Sequence, residues 1–142
     1  MNLKALTIHA PWAPLIAICE KKYETRSWKT NYRGPIAIHC SRSMGYLYLC
    51  NERLFMDVLR RHDFEIEDIN EMRGHVIAVA ELTDCIEVPS LPLTIPGQEI
   101  AFGDWRSGRF AWKLANVKKL ETPIPAVGKQ GLWNWDGEID AT

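Results

Sequence analysis

The chemistry-bearing residues of this chain crowd into one run, Glu24-Thr25-Arg26-Ser27-Trp28-Lys29-Thr30-Asn31-Tyr32-Arg33-Gly34. Arg26 and Arg33 carry planar forks of donors that match a phosphate or a base edge. Trp28 and Tyr32 offer faces on which a base can stack. Glu24 is the odd member, because a carboxylate repels phosphate. Set among cations, it either orders them or takes part in chemistry. Two further residues belong to the same question. Lys21 precedes the run, where burial would let it act as a base, and exposure would let it hold a phosphate. A plain helix-terminal cation is the alternative for Lys21. Glu81 closes an apolar run, His75-Val76-Ile77-Ala78-Val79-Ala80-Glu81-Leu82. It stands either at the rim of a pocket, facing a ligand or Lys21, or in solvent or paired with Arg26. A mutual Glu24–Arg26 ion pair is the plain alternative for those two, since residues two apart on a strand share a face.

The elements that must hold these residues are legible in outline. Leu3 to Ile8 reads as a strand. Pro11 suits a helix start, and Trp12, Leu15, Ile16 and Cys19 fall on one helical face, with an end near Lys21-Lys22. Tyr23 to Trp28 and Pro35 to Ser41 read as strands joined by a turn at Asn31 to Gly34. Glu52 to His62 and Ile66 to Met72 have helical spacing. His75 to Leu82 is the strongest strand pattern, and Thr94 to Gly108 reads as a long loop. Arg109 to Leu114 is a strand with Phe110, Trp112 and Leu114 on one face, continued by Val117 to Leu120. Pro123 to Gly128 is expected to be irregular. The order of elements implies an α+β fold. A small β-barrel flanked by two or three helices would close most strand edges and leave a mouth for a ligand.

Composition bounds the rest. The chain has 142 residues, 46% hydrophobic and 25% charged, which suits one domain over residues 1–142. Its apolar stretches are of strand length, so no membrane span is expected. The start at Met1 lacks a long apolar core and cleavage site, and Cys19, Cys40, Cys50 and Cys85 form no CxxC pair. A reduced, cytoplasmic protein is the expectation. His39 and Cys40 fit no metal-ligand spacing, so neither metal nor cofactor is expected. Net charge is −1, yet the cations Lys4, Lys21, Lys22, Arg26, Lys29, Arg33 and Arg42 face only Glu20 and Glu24 up to Arg42. Such asymmetry permits a basic patch, as well as separate solvated faces. There is no GxxxxGK[ST], GxGxxG, HExxH or GxSxG, which removes nucleotide-hydrolysing P-loops, dinucleotide redox chemistry and hydrolase elbows from consideration.

Three segments together resemble a known family. Leu6-Thr7-Ile8-His9-Ala10-Pro11-Trp12-Ala13, Lys21-Lys22-Tyr23-Glu24-Thr25-Arg26-Ser27-Trp28 and Tyr32-Arg33-Gly34 are similar to the ASCH domain of the PUA-like superfamily. Gly74 to Leu82, Phe110-Ala111-Trp112 and Gly128-Lys129-Gln130-Gly131-Leu132-Trp133 fit its C-terminal half. The resemblance implies a PUA-like open β-barrel, of about five to seven strands, with a cleft beside the first helix. It also implies a partner that is RNA, another single-stranded nucleic acid or a nucleoside, contacted by Lys21, Glu24, Arg26, Trp28, Tyr32 and Arg33. One branch of the family consists of amidohydrolases acting on N4-acetylcytidine through a Lys, a Thr and a Glu, and others are ribonucleases. The Lys carries over to Lys21 and the Glu to Glu81, but Glu24 stands at the Thr position. Binding is therefore the first expectation. Hydrolysis through Lys21, Glu24 and Glu81 is the alternative, and a protein-interaction module in transcription or translation regulation is a third.

Overall fold

The computed structural model describes residues 3–89 and 95–139. Met1, Asn2, residues 90–94 and residues 140–142 lie outside the described residues, including Thr94, the expected start of the long loop. Among the described residues six strands form one sheet: β1 (Leu3–Ile8), β2 (Tyr23–Arg26), β3 (Gly34–Cys40), β4 (His75–Glu87), β5 (Phe110–Pro125) and β6 (Leu132–Trp135). Their order is β2-β5-β4-β3-β1-β6. β1 runs parallel to β3 and every other pairing is antiparallel. The end strands β2 and β6 do not pair, so the α+β sheet is open and unclosed.

Among the described residues four α-helices accompany the sheet: α1 (Trp12–Ala17), α2 (Arg53–Arg61), α3 (Ile66–Met72) and α4 (Gly97–Ala101). The sequence gives reason for two or three. The additional one, α4, lies inside the stretch expected to be a loop, because Pro96 and Gly97 mask its five residues as loop composition. Pro123 to Pro125 was expected to be irregular and instead ends β5. β2 pairs only with Phe110 to Lys113, so this far end of β5 has a free side where proline's missing donor costs little.

Register shifts at Ile38/His39 in β3 and at three places between β4 and β5 bend the sheet. One face buries Leu6, Ile8, Ile36, Ile38, Ile77 and Trp112 against α1, α2 and α3. The other holds a smaller cluster of Ala5, Ala37, Val76, Trp133 and Trp135. α1 is apolar on every side, with Ala13 to Ala17 all buried. It stops before the expected Lys21-Lys22 end because Cys19 adopts a left-handed φ of 64°. The backbone amides of Glu20 and Lys21 then both bond the Leu15 carbonyl, at 3.0 and 3.2 Å. That reversal turns Lys21 into the interior.

Candidate functional site

Lys21 is 1% exposed. Its Nζ donates to the Phe102 carbonyl at 2.9 Å and lies 4.0 Å from Glu24 Oε1. Burial pushes its pKa below the usual lysine range, against the pull of the Glu24 and Glu99 carboxylates. Glu24 in turn accepts from Arg26 Nε at 3.1 Å, and Arg26 Nη2 donates to the Thr7 carbonyl at 2.8 Å. The plain reading of two strand neighbours as an ion pair is what forms, and that pair also spans from β2 to β1.

Glu99 on α4 went unnoticed in the sequence. It is buried, and its two oxygens accept from the backbone amides of Lys22 and Tyr23 at 2.8 to 3.1 Å. A carboxylate so placed anchors α4 on the entry to β2. A stretch read as loop gave no signal for it. Asp104 and Arg109 fasten the next segment: the Asp104 amide donates to Thr25 Oγ1 at 3.1 Å, and Arg109 Nη2 donates to the Thr25 carbonyl at 3.1 Å. Hydrogen bonds from Arg106 hold the Asp104 carboxyl down at about 2.

These contacts shape a cleft with two adjacent lobes. The smaller, about 510 Å³, is lined by Trp12, Tyr46, Phe55 and Phe102 with Glu24, Arg26, Asp104 and Arg109. The larger, about 810 Å³, is lined by Trp28, His39, Ser41, Arg42 and the segment Val127 to Gly131. Thr7, His9 and Arg26 line both, so they form the junction. At the mouth of the smaller lobe Tyr46 leans on His9 and Trp12, with ring centroids 5.0 and 4.9 Å away. Tyr46 remains 40% exposed. His9 is held below the ordinary histidine range, by partial burial first and by Arg26 second.

The residues singled out in the sequence divide into three groups. Glu24, Arg26 and Trp28 line the cleft, and Lys21 lies buried behind Glu24. Tyr32 and Arg33 serve their own loop. Tyr32 donates its hydroxyl to the Pro35 carbonyl at 2.6 Å, and Arg33 donates to the Thr30 and Tyr32 carbonyls and lies 3.7 Å from Asp84. Glu81 is exposed, and its described partner is Asn116 at 3.4 Å. The structure therefore does not assemble Lys21, Glu24 and Glu81 around one point. On β4 the outward face takes Glu81 while Ala80 and Leu82 point inward. Cys40, beside His39, is no thiolate, since burial pushes its thiol up to about 12.

A family model for the ASCH domain matches residues 6–124, most of the described sheet and the helices around the cleft. The chain belongs to the ASCH domain family. It is 24% identical to activating signal cointegrator 1 of Homo sapiens over 135 residues, and equally to that of Mus musculus. These alignments cover 94% of the chain and 22% of either relative, so the chain spans about a fifth of their length. The crystal structure of ASCH from Zymomonas mobilis superposes with a TM-score of 0.52 at 16% identity, covering 86% of this chain and 72% of that one. That likeness shows the fold, a PUA-like α+β sheet. The ASCH domain is a family associated with RNA binding.

Proposed function

We propose that the two-lobed cleft binds single-stranded RNA, or a modified nucleoside within it, with Arg26 and Glu24 as the central polar pair. The supporting observation is the junction itself. Arg26 lines both lobes and pairs with Glu24 of the smaller one, beside the aromatic mouth formed by Trp12, Tyr46 and His9, while Trp28 walls the larger. Aromatic faces beside a guanidinium are what stacking and phosphate contact require. Glu24 Oε2 is engaged by Arg26, while Oε1 has Lys21 at 4.0 Å and keeps capacity to accept from a base amino group. No helix among the described residues is long and apolar enough to cross a membrane.

The test is titration of purified protein with single-stranded RNA of mixed sequence at two salt concentrations. Binding that weakens with salt and with Arg26→Ala supports the reading. Saturation at neither salt concentration counts against it.

A hydrolytic reading draws on the Lys21–Glu24 proximity and the lowered Lys21 pKa. It asks Lys21 to act while 1% exposed and committed to the Phe102 carbonyl. Release of product from N4-acetylcytidine or RNA, lost in Lys21→Ala, would establish it. Inert protein that still binds RNA favours the first reading.

A further inference from the structure

The two lobes differ in charge as well as size. The smaller lobe is walled by Ile8, Trp12, Leu49, Phe55 and Phe102, and its carboxylates Glu24 and Asp104 are each met by an arginine. In the larger lobe the cations are Arg26, Arg42 and Lys129, and none of its described lining residues is acidic. Arg42 follows β3 and Lys129 lies in the segment before β6, so two distant parts of the chain bring charge to one cavity. Among the described residues neither is in an ion pair, as is also true of Arg60 and Arg73, so Arg42 and Lys129 are both free to meet an anion.

The segment carrying Lys129 is fixed, not loosely draped. His39 bonds the Ala126 carbonyl at 2.8 Å and Thr7 Oγ1 at 3.2 Å, and Trp133 Nε1 donates to the same Thr7 oxygen at 3.1 Å. Gly128 lies so close over this chain of bonds that a Cβ there would stand 2.7 Å from His39 Cε1. The Ser41 hydroxyl and the Gln130 amide supply neutral donors around the cations.

We infer that the cleft is polarised: the smaller lobe receives a base, and Arg42 and Lys129 in the larger lobe hold the phosphate attached to that base's sugar. The inference rests on the base-binding reading above and narrows it to phosphorylated ligands. The shared chemistry is a nucleoside phosphate, whether a free nucleotide or a unit of a single-stranded chain. Unpaired cations facing a cavity without acids attract an anion, and their separation from the apolar lobe sets the ligand's orientation.

Calorimetric titration of the four common ribonucleosides, their 5′-monophosphates and a random single-stranded RNA tetranucleotide tests this. The phosphorylated ligands should bind at least about tenfold more tightly than the nucleosides. In Arg42→Gln/Lys129→Gln that preference should vanish, and the salt slope for the tetranucleotide should flatten by about 1.4, the value for two lost phosphate contacts. A tetranucleotide tighter than the monophosphates marks the chain as the source, and equal affinity marks the free nucleotide. Either supports the phosphate lobe. Nucleosides binding as tightly as monophosphates, with the double variant indistinguishable from the native protein, would overturn the inference and leave the base-binding reading intact. No binding by any of the ligands would sink both. If the double variant does not fold, Lys129→Gln alone, on an exposed side chain, carries the test with a slope change of about 0.7.

Discussion

Lys21 and Glu24 stand 4.0 Å apart, nitrogen to oxygen, with Lys21 wholly enclosed and Glu24 at the cleft surface. The lysine lies behind the site, bonded to the Phe102 carbonyl, and sets the position of the carboxylate. Replacing a whole buried ion pair with apolar residues is often neutral or stabilising, but removing one partner leaves the other charge uncompensated and costs about 3–5 kcal/mol. Lys21→Met is therefore expected to lose about 3 kcal/mol of stability, the low end because Arg26 still pairs Glu24, and to change RNA affinity less than about threefold. Urea unfolding and RNA titration check both. A total loss of binding in a folded Lys21→Met protein would move Lys21 back into the site.

Arg26 carries the opposite expectation. Removing it takes away a charged donor and leaves the Glu24 carboxylate beside the ligand. Affinity for single-stranded RNA should fall about tenfold, the equivalent of about 1.4 kcal/mol. The double change Arg26→Ala/Glu24→Gln should recover part of that loss by removing the repulsion. A double variant weaker than the single one would show that the charge of Glu24, and not its acceptor alone, draws the ligand.

Glu99 binds two backbone amides through one buried carboxylate. Glu99→Ala leaves both donors unmet and frees α4 from β2. A loss of about 3 kcal/mol is expected, read from chemical denaturation. Glu99→Gln keeps an acceptor and should lose less.

At Gly128 the added methyl of Gly128→Ala would meet His39 Cε1 at 2.7 Å and Thr7 Oγ1 at 2.8 Å. The segment must move, at a cost of about 1–3 kcal/mol. Because Lys129 moves with it, weaker binding of phosphorylated ligands should accompany the lost stability. Unchanged melting would show that the segment yields more readily than its bonds suggest.

His9 gives the site a pH dependence. Burial, and then Arg26, hold its pKa below the ordinary histidine range. As pH falls through that lowered value, His9 gains a proton and the junction gains a cation. RNA affinity should rise about two- to fivefold, the effect of a partly exposed charge, and the rise should disappear in His9→Gln. An affinity that is flat or falls on acidification would contradict this.

Much of the frame was legible because its periods are clean. β1, α3 and the start of β4 coincide with the apolar patterns at Leu3, Ile66 and His75, and the Glu24–Arg26 pair follows from strand alternation. The cleft was legible by half. Trp28 and Arg26 line it, but Tyr32 and Arg33, equal to them in chemistry, bond to their own loop. Sequence spacing cannot tell a side chain that meets a ligand from one that closes a turn. Glu81 stood open between a pocket rim and solvent, and its alternation on β4 puts it in solvent. Glu99 and Tyr46 gave no early signal, and Arg42 and Lys129 only a place in a basic stretch and in a family-like segment, since tertiary contacts across scores of residues bring them to the site.

The most direct test of the cleft is a two-dimensional NMR titration with single-stranded RNA, following backbone amides and the tryptophan indoles. The expected result is shifts at Thr7, His9, Trp12, Arg26, Trp28 and Tyr46, with Arg33 and Glu81 unmoved. Shifts centred on Arg33 and Glu81, with the cleft signals still, would contradict the account.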